Sequence, residues 1–302
     1  VGGNNQACVL VFVGRNRGRA PGVNQVVVTR RTALLGAGAL AALGIGAGVG
    51  VAELAPVRRA LGLVGPDGAV PEVAAVPTRT DRFASAARGR DVTMVTMRPA
   101  PSLPVCLLLY GRHSDARGMV ELGLPSFLAA CDRDGVLPFT VVALDGGDSY
   151  WVARTPADDP RAMLRAELPD WLAGLGLAAP RAVLGISMGG FGALAYVGTR
   201  MPTAVLSPAV FEDWRDARGL DAFADERQWA RHEPLRHLDA LPAGHLLGVW
   251  CGREDPFCPA ARSLAAGARA EVAEFDHGAH TVGYWRRVLP AALRFVGRRL
   301  DG

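Results

Sequence analysis

Gly185-Ile186-Ser187-Met188-Gly189 fits the pattern G-x-S-x-G. It follows a short apolar run, Ala182 to Gly185, and precedes a stretch with helical spacing from Gly189 to Thr199. A Ser between two Gly at a strand-to-helix turn can be lifted on a strained backbone, with the first amides of the helix aimed at the same spot. The chemistry this predicts is attack by a hydroxyl, which needs a base, which in turn needs an acid to orient it. Two late loops supply candidates in the order acid, then His. Gly252-Arg253-Glu254-Asp255-Pro256 follows a strand-like run ending at Trp250, and His277-Gly278-Ala279-His280 follows one ending at Phe275. Asp255 is preferred to Glu254, because Pro256 fixes the chain after it and a short side chain suits an orienting role. His280 is preferred to His277, because it lies nearest the closing helix and Gly278 frees the loop to present it. The remaining His residues (His113, His232, His237, His245) read as surface or loop groups. A tetrahedral intermediate would also need N–H donors for its oxyanion. The amide of Met188 is one candidate, and the backbone of Arg112, in the loop after Val105–Tyr110, is the other.

These loops need strands to carry them. Val105 to Tyr110 and Thr140 to Leu144 are unbroken apolar runs, the mark of strands covered on both faces. Asp91 to Met97 alternates like a half-buried strand. Ala182–Gly185, Thr203–Leu206, Leu246–Trp250 and Glu271–Phe275 continue the series. Pro125–Arg133, Arg161–Leu175, Gly189–Thr199, Pro259–Arg269 and Tyr284–Arg299 have helical spacing. Strands alternating with helices predict an α/β domain over 91–302, with a mostly parallel central sheet and helices on both faces. Residues 211–241 are irregular, charged and Trp-containing, and read as a cap segment over the site.

Composition narrows the partners. The basic residues number 33 against 29 acids, and none is Lys. Five of them (Arg15, Arg17, Arg19, Arg30, Arg31) fall within 1–52, which has no acid, so the remainder is close to neutral. That balance argues against a nucleic-acid-binding face, which concentrates positive charge in the binding domain. No Cys or His spacing suggests a metal site, and no cofactor is implied. Cys106 and Cys131 lie in apolar runs and read as buried thiols. Cys251 and Cys258 flank a loop and could pair in an oxidising compartment.

The N-terminus reads as a targeting segment. Arg30-Arg31 precedes an uncharged Gly/Ala-rich run from Thr32 to Ala52, as in a twin-arginine export signal. Gly50-Val51-Ala52 offers small residues for cleavage before Glu53. Retained, the run is long enough to act as an anchor, giving association with a membrane or cell envelope. Residues 1–25 fit neither role and suggest an over-extended start. The stretch 53–90, rich in Ala, Pro and Arg, reads as a linker with one short helix at Val57–Leu63. The expected location is therefore outside the cytoplasm, in the cell envelope or secreted.

Several motifs together resemble one family. They are Leu107-Leu108-Leu109-Tyr110-Gly111, the Ser187 motif with its extension Gly190-Phe191-Gly192-Ala193-Leu194, Gly252-Arg253-Glu254-Asp255-Pro256-Phe257, and His280 ahead of Tyr284-Trp285-Arg286. From Val92 to Arg299 the chain resembles the esterase D and mycolyltransferase branch of the α/β-hydrolases, especially exported actinobacterial esterase-like proteins. The resemblance implies Ser187 as nucleophile, Asp255 as acid and His280 as base. It also implies that the segment from Asp145 to Trp151 is an active-site loop, with Tyr150 and Trp151 walling the substrate pocket. One departure stands out. Tyr110 occupies the position before the oxyanion-loop Gly where the family commonly has His or Asp, which weakens any sugar-binding role. The function expected is a serine carboxylesterase acting on a small-molecule or lipid ester through an acyl-enzyme. Envelope acyl transfer and a non-catalytic envelope binding protein are the alternatives.

Overall fold

The computed structural model describes residues 65–98, 100–242 and 244–300, together with the backbone of two short strands, Val9–Phe12 and Asn24–Val27. Those two strands pair antiparallel within a unit of their own, Val1–Gly46. The Arg30-Arg31 pair, the apolar run 32–52, the helix expected at Val57–Leu63 and Cys8 lie outside the described residues. Among the described residues no helix is long and apolar enough to cross a membrane.

The second unit is built on an eight-stranded sheet. Its strands are β1 (Thr78–Ser85), β2 (Arg90–Met97), β3 (Val105–Leu109), β4 (Thr140–Leu144), β5 (Pro180–Ile186), β6 (Pro202–Leu206), β7 (Leu246–Trp250) and β8 (Val272–Glu274). They lie in the order β8-β7-β6-β5-β3-β4-β2-β1. All neighbours are parallel except where β2 pairs antiparallel with β1 and with β4. Every residue of β3, β4 and β6 is buried, which accounts for their unbroken apolar sequences.

The chain steps from β3 outward to β4, then returns to place β5 on the other side of β3. Such a reversal opens a crevice beyond the carboxyl ends of the strands, where an open α/β sheet places its site. Gly111 and Arg112 follow β3, and Ser187 follows β5, so both flank the reversal. Asp255 and His280 follow β7 and β8 on the same edge.

β1 lies inside the stretch read as a linker. Its sequence, Thr-Arg-Thr-Asp-Arg-Phe-Ala-Ser, is too polar to signal a strand. The polarity suits an edge strand, because charge there discourages pairing with another chain. Phe83 holds it down by stacking on Trp171 at 4.9 Å. Trp171 sits in a composite helix, 160–174, in which Met163–Glu167 forms a π turn between two α segments. Glu167 accepts hydrogen bonds from Ser85 Oγ and, at 2.8 Å, from the amide of Ala87. The hairpin joining β1 to β2 is thus tied to the helix.

Four further helices matter to the site: α1 (Leu124–Arg133), α2 (Met188–Tyr196), α3 (Cys258–Gly267) and α4 (Val282–Gly297). The segment 211–241 forms short helical turns. Trp229 is buried there, and its Nε1–H donates to Oε2 of the buried Glu233 carboxyl at 3.0 Å. Cys251 and Cys258 are buried free thiols, as are Cys106 and Cys131. Burial pushes the Cys106 thiol up to about 12.

Candidate active site

Ser187 sits at φ 55°, ψ −120°, a conformation L residues avoid. Such strain costs on the order of 1–3 kcal/mol and survives only where the surroundings over-determine it. Here the Ser187 amide donates to Leu206 O at 2.9 Å, and its carbonyl accepts from Gly190 N at 2.8 Å and Ala209 N at 3.0 Å. The flanking glycines are a packing requirement. A Cβ on Gly185 would overlap the backbone of Gly189, and a Cβ on Gly189 would overlap Leu109 O. The start of α2 is thereby pressed onto the end of β3, and the turn between them lifts Ser187.

Ser187 Oγ lies 2.8 Å from His280 Nε2, and His280 Nδ1 lies 2.8 Å from Asp255 Oδ2. The Asp255 side chain is fully enclosed, while the His280 side chain is one-fifth exposed. The other Asp255 oxygen, Oδ1, accepts from the Phe257 amide at 2.9 Å. His280 stands between two rings, edge-on to Phe257 at 5.2 Å and to Trp285 at 5.1 Å. Thr281 caps α4 directly after it by accepting from the Tyr284 amide at 3.2 Å. The ring is therefore held from both sides and from the chain below.

The competing pair lies apart from this relay. Glu254 Oε1 is 2.8 Å from His277 Nδ1, and Glu254 Oε2 accepts from the Gly278 amide at 2.6 Å. Burial raises the Glu254 carboxyl, but the Gly278 amide and His277 outweigh it and hold it below its usual value. This pair braces the loop that carries His280.

The two amides expected at an oxyanion site are both unengaged. Among the described residues neither Arg112 N–H nor Met188 N–H has an acceptor. The next amide, of His113, donates to Asp148 Oδ1 at 2.8 Å. Gly111 abuts Ser187; a Cβ there would stand 3.2 Å from Ser187 Cβ and 3.7 Å from its Oγ. Tyr110, the departure from the family pattern, points into the loop opposite. Its hydroxyl accepts from the amides of Gly146 at 2.8 Å and Gly147 at 3.2 Å. Burial pushes its phenol up to about 12. Asp145 Oδ1 accepts from Ala116 N at 2.9 Å, so the loops 110–116 and 145–151 are laced together.

A cleft of about 720 Å³ opens over Ser187, with His280, Arg112, Tyr150 and Trp285 in its walls. Gly219 and Leu220 of the 211–241 segment also border it. Tyr150 and Trp151 part company. Both have left-handed backbones, φ 57° and 56°. This turn sends Tyr150 to the cleft wall, against Phe191, Phe211 and Phe223. Trp151 goes into the core, against Tyr110 and the face of Gly192, and does not line the cleft. Trp285 and Phe257 were the contacts that sequence reasoning missed. Both belong to motifs quoted above, but nothing in their spacing says that they face His280. Among the described residues no group of three or more His, Cys, Asp or Glu gathers as a metal site.

No family model and no curated protein matches the chain. Solved structures do. A ferulic acid esterase aligns with a TM-score of 0.61 at 19% identity, over 74% of this chain and 98% of its own. An S-formylglutathione hydrolase from Agrobacterium tumefaciens gives 0.61 at 16% identity, over 74% and 95%. MPT51 (FbpC1) of Mycobacterium tuberculosis gives 0.60 at 21% identity, over 75% and 100%. These likenesses, with the strand order and the single antiparallel strand inside the sheet, establish that the chain has the α/β-hydrolase fold.

Proposed function

We propose that the protein is a serine carboxylesterase. The observation that carries the reading is the relay of two 2.8 Å contacts from Ser187 through His280 to the enclosed Asp255, opening beside two acceptor-free amides. With Asp255 ionised, His280 Nδ1–H donates to it and Nε2 is left to accept the Ser187 proton. Ser187 Oγ attacks the ester carbonyl as that proton passes to His280. The oxyanion is received by the amides of Met188 and Arg112, fixed in place before the reaction begins. The alcohol leaves with the proton from His280, giving an acyl-Ser187. Water attacks the acyl carbon, loses its proton to His280, and Ser187 is restored as the acid departs.

The esterases among the structures of the same fold support this chemistry at the level of class. The Arg30-Arg31 pair and the run after it support export of the enzyme to the envelope or beyond. The test is hydrolysis of p-nitrophenyl esters from two to sixteen carbons by the protein and by Ser187→Ala, with labelling by a fluorophosphonate. Turnover and labelling that both vanish in the variant support the reading. A folded protein that neither turns over nor labels refutes it and favours a binding protein on this fold. Product analysis with added alcohols separates hydrolysis from acyl transfer.

A further inference from the structure

The cleft carries cationic donors that the ester reaction does not use. Arg112 lines it and forms no ion pair among the described residues, and its Nε is shut off from water with no acceptor. Its guanidinium stands close enough to Tyr150 to offset part of the effect of burial on that phenol. The Trp285 Nε1–H, of another residue that lines the cleft, is likewise enclosed and unpaired. Arg286 also lines the cleft, but its Nε and Nη2 donate to the carbonyls of Leu122 and Glu121 at 2.9 and 3.1 Å. Carbonyls hold it in place without neutralising it. Glu121 is the one acid among the lining residues, and it is exposed. The lining residues thus include two Arg against one acid.

Among the described residues none of the Arg112 guanidinium nitrogens has an acceptor, and the half-buried side chain borders the cleft, so a ligand there can supply one to its terminal nitrogens. A carboxylate suits the planar fork of Arg better than any neutral acceptor, and a charge-assisted bond is about twice as strong. The backbone amide of Arg112 faces the reacting carbonyl in the proposed mechanism, so its side chain samples the part of the substrate adjoining that carbonyl.

We propose that the cleft selects esters that carry a second, ionised carboxylate, held by the Arg112 guanidinium. This rests on the serine esterase reading above and names the class of substrate within it. The side chain of Arg112 then sets specificity while its amide serves the oxyanion.

The test compares matched esters that differ in one ionised carboxylate, with each kcat/KM divided by the rate of hydroxide-catalysed hydrolysis. Monomethyl adipate against methyl hexanoate places the charge on the acyl side, and 4-acetoxybenzoate against 4-tolyl acetate places it on the alcohol side. The protein should prefer the anionic member of at least one pair by on the order of ten- to a hundredfold. Arg112→Met should bring that ratio close to one, and Arg112→Lys should keep part of it. No preference in either pair overturns the proposal without touching the esterase reading, and needs no variant. A preference that survives Arg112→Met in a folded protein also overturns it. Absence of turnover on all four esters with no fluorophosphonate labelling removes both readings together.

Discussion

Replacing Asp255 by Asn tests the relay with almost no change of shape. The outcome follows from the second oxygen of the carboxylate. Asp255 Oδ1 accepts from the Phe257 amide at 2.9 Å, whereas Oδ2 meets His280 Nδ1 at 2.8 Å. The amide of Asn must place its oxygen toward Phe257 N–H, since an NH2 there would face another donor. Its NH2 then faces His280 Nδ1, which must become the acceptor, and the ring proton moves to Nε2. In that tautomer Nε2 cannot take the Ser187 proton. Forcing the wrong tautomer in a triad of this geometry costs about 10⁴ in kcat. At about 1.36 kcal/mol per decade, that is about 5 kcal/mol of transition-state stabilisation. The assay is kcat and KM on the best p-nitrophenyl ester, with a thermal melt to show that the fold is kept. KM should change little. A loss smaller than about tenfold in a folded Asp255→Asn variant, or a larger loss in Glu254→Gln than in Asp255→Asn, would refute the assignment.

Three other outcomes are expected. Ser187→Gly should be more stable to urea than Ser187→Ala by about 1 kcal/mol, because Gly alone is relaxed at φ 55°; equal stabilities would mean that the turn is unstrained. Tyr110→Phe removes the acceptor of two loop amides, of which the buried Gly146 N–H alone should cost about 1–3 kcal/mol; an unchanged melting temperature would show that water replaces the hydroxyl. Glu233 is enclosed, and burial pushes its carboxyl up to about 8. The folded chain keeps that proton while the unfolded chain loses it near pH 4.5, so stability falls between roughly pH 4.5 and 8 and then levels. Glu233→Gln should flatten that fall, gaining on the wild type at pH 8 relative to pH 5 in denaturant titrations; parallel pH profiles would sink the argument.

Much of the core was legible because its physics is local. β3, β4 and β6 are covered on both faces, so their sequences are unbroken apolar runs, and the turn at Ser187 announces itself through two glycines that no other residue can replace. β1 was not legible, since an exposed edge strand gains from polar residues that look like a linker. The choice of Asp255 and His280 over Glu254 and His277 followed from chain stiffness and loop position, and the relay to Ser187 runs through the same two residues. The separate fates of Tyr150 and Trp151 could not be read, because the two successive left-handed residues send Trp151 against the Tyr110 ring and the bare face of Gly192, contacts between segments far apart in sequence. The ring contacts of His280 with Phe257 and Trp285 join loops far apart in sequence, and pattern carries no such information.

The π turn at Met163–Glu167 has a consequence for length variation. An α-helix advances about 100° per residue, and the π turn takes up one extra residue as a bulge, so deleting one residue there would leave the two halves in phase, whereas a deletion elsewhere in the helix would swing one half against the other by that angle. The cap at Asp159, whose Oδ1 accepts from the amides of Arg161 and Ala162 at 2.8 and 3.0 Å, fixes the first half. The stack of Trp171 on Phe83 fixes the second, and Glu167 reaches the hairpin between them. A single-residue deletion outside the π turn cannot keep all three. The π turn works as a phase absorber: the helix can lose one residue between Met163 and Ala166 with the outermost strand still held, while the same loss elsewhere in the helix should peel that strand from the sheet.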